Sequence, residues 1–180
     1  ADRCKRIVQN LLIFARKNRP QKRPIDINGV VESVLELKEY QFKVDNVRVV
    51  KDLDARLPLA MADSGQLQQV VMNIVHNAQQ AMNGGKREAI LTVRSRAENG
   101  TVRLEIADTG PGIAPGNLNR IFDPFFTTKE VGQGTGLGLS ICYGIIQEHR
   151  GRIWAESREG EGTSFHIQIP VQEEGIRARE

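Results

Sequence analysis

Residues 109–136 are rich in Gly, Pro and Thr and carry little periodicity, yet both flanks are strongly patterned. A stretch of that length without regular structure is either functional or disordered, and it forces the flanking elements to assemble around it. On its upstream side AILTVRSR and TVRLEIAD alternate as half-buried strands. They are separated by Ala97-Glu98-Asn99-Gly100, which predicts a β-hairpin with Asn-Gly as its turn. On its downstream side a helix resumes at about Leu137 (LGLSICYGIIQEHR). Two strands, RIWAESR and TSFHIQIPV, then follow, joined by Glu159-Gly160-Glu161-Gly162.

The first half of the chain adds helices. Cys4, Ile7, Leu11, Phe14 and Ala15 recur at helical spacing over Asp2–Asn18, and Pro20 and Pro24 forbid continuation. Asp26 or Asn28 caps a second helix, with Val30, Val31, Val34, Leu35, Leu37 and Phe42 as its buried side. VRVVKDLD reads as a strand. Asp63 or Ser64 opens the clearest helix, whose face is Leu67, Val70, Val71, Ile74, Ala78 and Met82 and whose stop is Asn83-Gly84-Gly85. The order predicts an α/β fold: a two-layer sandwich of a mixed, mostly antiparallel sheet on about three helices, preceded by one N-terminal helix.

At 39% hydrophobic and 26% charged, the 180 residues suffice for one core. No apolar run reaches the ~18–20 residues of a membrane helix. The start, ADRCKR, lacks an initiator Met and points to a fragment or processed product. Cys4 and Cys142 match no metal or disulfide spacing and read as packed thiols in a reducing, cytoplasmic compartment. Residues 1–24 hold eight Lys/Arg against one Asp; the remainder holds seventeen against twenty-one acidic residues. The acidic remainder argues against nucleic acid as a partner, and the basic arm reads as a solvated helix face.

Two glycine motifs bound the irregular stretch: Asp108-Thr109-Gly110-Pro111-Gly112 and Gly134-Thr135-Gly136-Leu137-Gly138-Leu139-Ser140. No strand immediately precedes the second, and no G-x-x-x-x-G-K-[ST] run exists, so neither is a dinucleotide fingerprint or a P-loop. On a separate element, Asn73 and Asn77 lie one turn apart on an otherwise apolar helix. A buried amide needs a partner, and there are two readings: helix-to-loop hydrogen bonds, or a hard carbonyl ligand for Mg²⁺.

Taken together, these residues resemble the ATP-binding catalytic domain of sensor histidine kinases, in the superfamily that includes gyrase, Hsp90 and MutL. LQQVVMNIVHNAQQAM resembles its N box, DTGPGI its G1 box, FDPFFTTK its F box, GTGLGLS its G2 box, and Gly160–Phe165 its last glycine motif. NAQQAM and FDPFFTTK look most like the nitrogen-regulation and oxygen-sensing subgroup. The resemblance implies a Bergerat-type ATP-binding fold over residues 25–171 with a lid at about 114–135. Residues 1–24 would be the end of a dimerisation hairpin, and 172–180 a frayed tail.

By that resemblance Asn77 holds Mg²⁺, Asn73 assists at the phosphates, and Asp108 accepts the adenine amino group. Gly110 and Gly112 approach the base. Ala78, Ile113, Leu139 and Phe165 line its slot, or are plain core, with Thr163 at the adenine edge. Gly134, Thr135, Gly136, Leu137 and Gly138 bring backbone N–H groups to the phosphates at a helix N-terminus. Thr127, Thr128 and Lys129 belong to the lid, with Lys129 either a phosphate contact or a solvated lysine. Phe122, Phe125 and Phe126 are expected to anchor it. Hydrolysing relatives carry Glu where this chain has Asn73, which favours phosphoryl transfer. None of His76, His149 and His166 resembles a phosphoacceptor, so the acceptor histidine lies on a hairpin outside this chain. His149-Arg150-Gly151 departs from the usual second glycine and predicts a small turn change. The implied cofactors are ATP/ADP and Mg²⁺. The implied partners are that hairpin and a response regulator, with a homodimeric parent protein and a fragment that is a monomer or weak dimer. The alternatives are a nucleotide-regulated protein-binding module and an ATPase of the same superfamily.

Overall fold

Capping aspartates and punctuating glycines set the element boundaries. The structure, a computed structural model, describes residues 20–85, 88–129 and 134–171; the helix expected over Asp2–Asn18, with Cys4, and the tail at 172–180 lie outside these. After a short strand β1 (Arg23–Ile25), Asp26 caps α1 (Ile27–Val44) by accepting the Asn28 amide N–H at 2.9 Å. Val31, Val34, Leu35 and Phe42 are buried as expected, and Val30 packs partly. Leu37 is not: it is 67% exposed, because it lies off the buried stripe and beside exposed Tyr40 and Val44.

Strands β2 (Val47–Leu53) and β3 (Ala60–Ala62) lead to α2 (Ser64–Met82), capped by Asp63, whose carboxylate accepts the Gln66 N–H at 3.1 Å. Its whole expected face is buried, together with Val75 and Gln79. The hairpin β4 (Ala89–Glu98) and β5 (Thr101–Asp108) turns at Asn99 and Gly100, both at positive φ (46° and 73°), the geometry that Asn-Gly favours.

Among the described residues the stretch after β5 holds one short helix, α3 (Pro115–Leu118). Then come α4 (Gly138–Glu148), β6 (Arg152–Arg158) and β7 (Gly162–Pro170). The five-stranded sheet runs β2-β4-β5-β7-β6; every pairing is antiparallel except β2 with β4. β1 and β3 form a separate antiparallel pair. Leu91, Val93, Leu104, Ile106 and Ile167 of the sheet form one core with the buried stripes of α1, α2 and α4. No described helix is long and apolar enough to cross a membrane.

The departure at Arg150 has a definite form. Gly151 N–H donates to the Ile146 carbonyl at 2.9 Å and Arg150 N–H to that of Gln147 at 2.9 Å, a Schellman ending. Arg150 occupies its left-handed position, φ 54°, where glycine is the usual residue.

Candidate functional site

One stripe of α2 touches both glycine motifs that bound the irregular stretch, and Lys129 between them. The Asn73 side-chain N–H₂ donates to the Gly138 carbonyl at 3.3 Å and lies 3.6 Å from Cys142 Sγ, so the helix-to-loop reading holds for Asn73. Its carbonyl oxygen keeps its acceptor capacity. One turn on, half-buried Asn77 has no side-chain hydrogen bond among the described residues. Gln80 follows, its Oε1 accepting from Lys129 Nζ. Ala81 then meets the first glycine loop: a Cβ on Gly110 would stand 3.2 Å from Ala81 Cβ. Ala78, 2% exposed, packs inward.

Asp108 ends β5, buried, opposite Thr163 in the register with β7. It accepts the Gly110 N–H at 2.8 Å. Burial pushes its carboxyl up to about 6, against the lowering effect of N–H donation from Gly110 and Thr163. A carboxylate held at a strand end with spare acceptor positions can read an exocyclic amino group. Gly112 takes φ 75°, and a Cβ there would collide with the Arg158 carbonyl oxygen, so the loop is seated on the β6–β7 turn. Gly160 N–H reinforces it by donating to the Pro111 carbonyl at 2.7 Å.

Ser157, which sequence reasoning missed, ties three pieces together. Its Oγ accepts the Ile113 N–H at 2.8 Å, donates to the Gly162 carbonyl at 2.8 Å, and lies 3.0 Å from Thr163 Oγ1. The signal was the Glu159-Gly160-Glu161 turn, which places Ser157 opposite Thr163. Gln80 and Ala81 were also missed, although they continue the Asn73/Asn77 stripe at helical spacing.

Between the glycine motifs, Phe125 N–H donates to the Gly136 carbonyl at 2.9 Å. Gly136, at φ 66°, comes so near that a Cβ would collide with the Phe125 carbonyl carbon. Phe122 and Phe126 pack partly against the core, and the Phe122 ring lies 5.9 Å from that of Tyr143. Phe125 does not anchor the lid through its ring: the side chain is 63% exposed and its backbone takes φ 66°, a region bulky residues avoid. The backbone bond to Gly136 positions this residue instead.

Thr127 and Thr128 are exposed; Thr127 Oγ1 accepts the Lys129 N–H at 3.2 Å. A Cβ on Gly134 would meet Thr127 Oγ1 at 2.7 Å. Burial lowers the Lys129 ammonium below its ordinary value. Thr135 Oγ1 accepts the N–H of Leu137, a buried residue that precedes α4, and α4 has no side-chain cap at its start. That start, beside Asn73, suits an anion. Leu139 packs partly against the core, and Phe165 is a core residue paired with Ile106. Of the histidines, His149 and His166 are buried at 2% and 3% exposure, and His76 is exposed.

No group of three or more His, Cys, Asp or Glu able to hold a metal occurs among the described residues. A divalent ion here would take the Asn77 carbonyl oxygen together with ligands from a bound phosphate, a donor set that fits Mg²⁺.

Residues 62–173 match the family described as histidine kinase-, DNA gyrase B-, and HSP90-like ATPase. Among curated relatives, the sensor kinase CckA of Brucella abortus (strain 2308) is 36% identical over 196 residues, covering 99% of this chain and 20% of that protein. The chain likewise spans a minor part of the other curated sensor kinases it matches, 23% of sporulation kinase E of Bacillus subtilis (strain 168), for example. The isolated catalytic domain of histidine kinase ThkA superposes with a TM-score of 0.75 at 35% identity, covering 84% of this chain and 96% of that one. ThkA solved with response regulator protein TrrA gives 0.79 at 30%, covering 94% and 48%. Full-length ShkA solved with AMPPNP gives 0.82 at 29%, covering 94% and 36%. With these matches, the chain belongs to the histidine kinase-, gyrase B- and HSP90-like ATPase family, as the ATP-binding domain of a histidine kinase.

Proposed function

We propose that this domain binds ATP with Mg²⁺ and transfers the γ-phosphoryl group to a histidine on a dimerisation hairpin that lies outside the chain. The observation that carries the reading is the α2 stripe, which gathers the G1 loop, the lid and the start of α4 around Asn73 and Asn77. Asp108 would read the adenine amino group, with Gly110, Gly112, Ile113 and Thr163 shaping the slot. Ala78, Leu139 and Phe165 would support its apolar wall. The backbone from Gly134 to Gly138 and the uncapped start of α4 would meet the phosphates, and Thr127, Thr128 and Lys129 would close over them.

Asn77 offers a neutral oxygen to the divalent ion, whose charge would offset that of the phosphates. In transfer, the bond from the γ-phosphorus to the bridging oxygen breaks and ADP leaves with the electron pair. The lone pair of the acceptor imidazole's unprotonated nitrogen forms the new bond to phosphorus, and the proton on the ring's other nitrogen passes to solvent. Catalysis of this kind is positioning and charge neutralisation. Asn73 commits its N–H₂ to Gly138 and has no basic group to activate water, which favours transfer over hydrolysis.

The wider setting follows the same reading: a cytoplasmic domain of a homodimeric kinase that passes the phosphoryl group to a response regulator. ThkA, crystallised with its regulator, supports that partner class. Mixing the chain with MgATP and a separate histidine-bearing hairpin tests the proposal. Phosphohistidine on the hairpin is expected. Binding of nucleotide without transfer would identify a regulatory binding module, and steady phosphate release without the hairpin an ATPase.

A further inference from the structure

Helix α4 is bonded to α2 at both of its own ends. Beside the glycine loops the tie is Asn73 to Gly138; at the far end the Asp63 N–H donates to His149 Nε2 at 2.9 Å. Nε2 accepts that N–H, so the ring's proton is on Nδ1, 2.7 Å from the Ile145 carbonyl.

The chain arriving from Pro20 joins the same knot. Asp63 uses both carboxylate oxygens: Oδ1 accepts the Gln66 N–H at 3.1 Å, and Oδ2 accepts the Gln21 N–H at 2.9 Å. Lys22 Nζ donates to the Glu148 carbonyl at the end of α4. Arg23–Ile25 then pairs with Ala60–Ala62, immediately before Asp63. A bare N-cap needs only one of those oxygens. The second is spent on holding the incoming backbone, and from there α2 runs as a rigid rod of about 15 Å to Asn73.

We propose that Asp63 is a positioning residue that locks the backbone at Gln21 to the α2–α4 pair, so that an acceptor joined ahead of the domain is tethered to the nucleotide loops from a fixed point of attachment. The inference rests on the kinase reading above, in which a histidine hairpin precedes this domain. A fixed point of attachment raises the effective concentration of a joined acceptor at the phosphate and does nothing for a detached one.

The Asp63→Asn variant separates positioning from capping. Asparagine caps a helix as well as aspartate does, yet it offers one acceptor oxygen where two N–H groups need one each. Gln21→Pro removes the donor from the other side. Transfer from MgATP would be measured with the hairpin joined ahead of Ala1 and, separately, with the hairpin as a second chain. Both variants are expected to slow joined-chain transfer about ten-fold with the KM for ATP within about two-fold, and to leave two-chain transfer within about two-fold. An unchanged joined-chain rate overturns the inference. So does equal slowing in both arrangements, or weakened ATP binding, because Asp63 would then be only a cap. If the unaltered chain transfers in neither arrangement, the kinase reading itself fails, and this inference with it.

Discussion

The Asn73 amide donates to the Gly138 carbonyl at 3.3 Å, binding the middle of α2 to the first residue of α4, whereas Asn77, one turn later, has no such bond among the described residues. The two asparagines therefore separate in experiment. Asn73→Ala should lower the stability of the nucleotide-free chain by about 1 kcal/mol, the net worth of a part-buried hydrogen bond. Asn77→Ala should leave it within about 0.5 kcal/mol and abolish Mg²⁺-dependent nucleotide binding. Thermal unfolding and a nucleotide titration check both. Full affinity in the Asn77 variant would make that box structural.

Asp108 links pH to folding and to binding with opposite signs. Burial raises its carboxyl from an ordinary 3.8 to about 6 in the folded chain. The fold thus favours the protonated form: this contribution to stability is full below pH 3.8 and is lost as pH rises through about 6. In the reading proposed above adenine binding needs the carboxylate as acceptor, so affinity should fall as pH drops through about 6, roughly ten-fold per unit below it. Asp108→Asn should flatten both profiles between about pH 4 and 8. An unchanged affinity profile in the variant would remove Asp108 from adenine recognition.

The long helices, the Asn-Gly hairpin and the glycine loops were legible because each is local: a helical stripe, a two-residue turn, a cap. What was not legible depended on distant partners. Nothing in VRVVKDLD says that β2 pairs parallel with β4, and three-residue strands such as β1 carry no period to read. Asn73 was ambiguous for the same reason, since its partner Gly138 lies 65 residues away. Phe125 misled because a phenylalanine on a loop normally docks by its ring, whereas here the backbone docks and the ring stays out.

The Phe125 backbone is seated directly on Gly136. Alanine there faces two penalties: a left-handed φ of 66° and a Cβ driven into the Phe125 backbone. The collision cannot relax without breaking the Phe125 N–H to Gly136 bond. Gly136→Ala should speed amide exchange at Phe125 by about ten-fold or more, leave amides of β5 and β7 unchanged, and weaken nucleotide binding. Slow exchange retained at Phe125 would mean that the two segments are held by something else.

Arg150 offers a gain in stability instead of a loss. It takes the left-handed position of the Schellman ending after α4, φ 54°, at about 1–2 kcal/mol for a residue with a Cβ. Glycine would relieve that strain but frees the unfolded chain by about 0.4–1 kcal/mol. Relief of strain outweighs the added freedom, so Arg150→Gly should stabilise the domain by about 0.5–1 kcal/mol, a rise of a few degrees in Tm. Gly151 next to it has no such freedom, because a Cβ there would collide with the Gln168 carbonyl oxygen. Gly151→Ala should therefore destabilise the chain that Arg150→Gly strengthens. Paired thermal unfolding of the two variants decides the matter: a loss of stability in Arg150→Gly would show that the arginine side chain contributes more than its backbone strain costs.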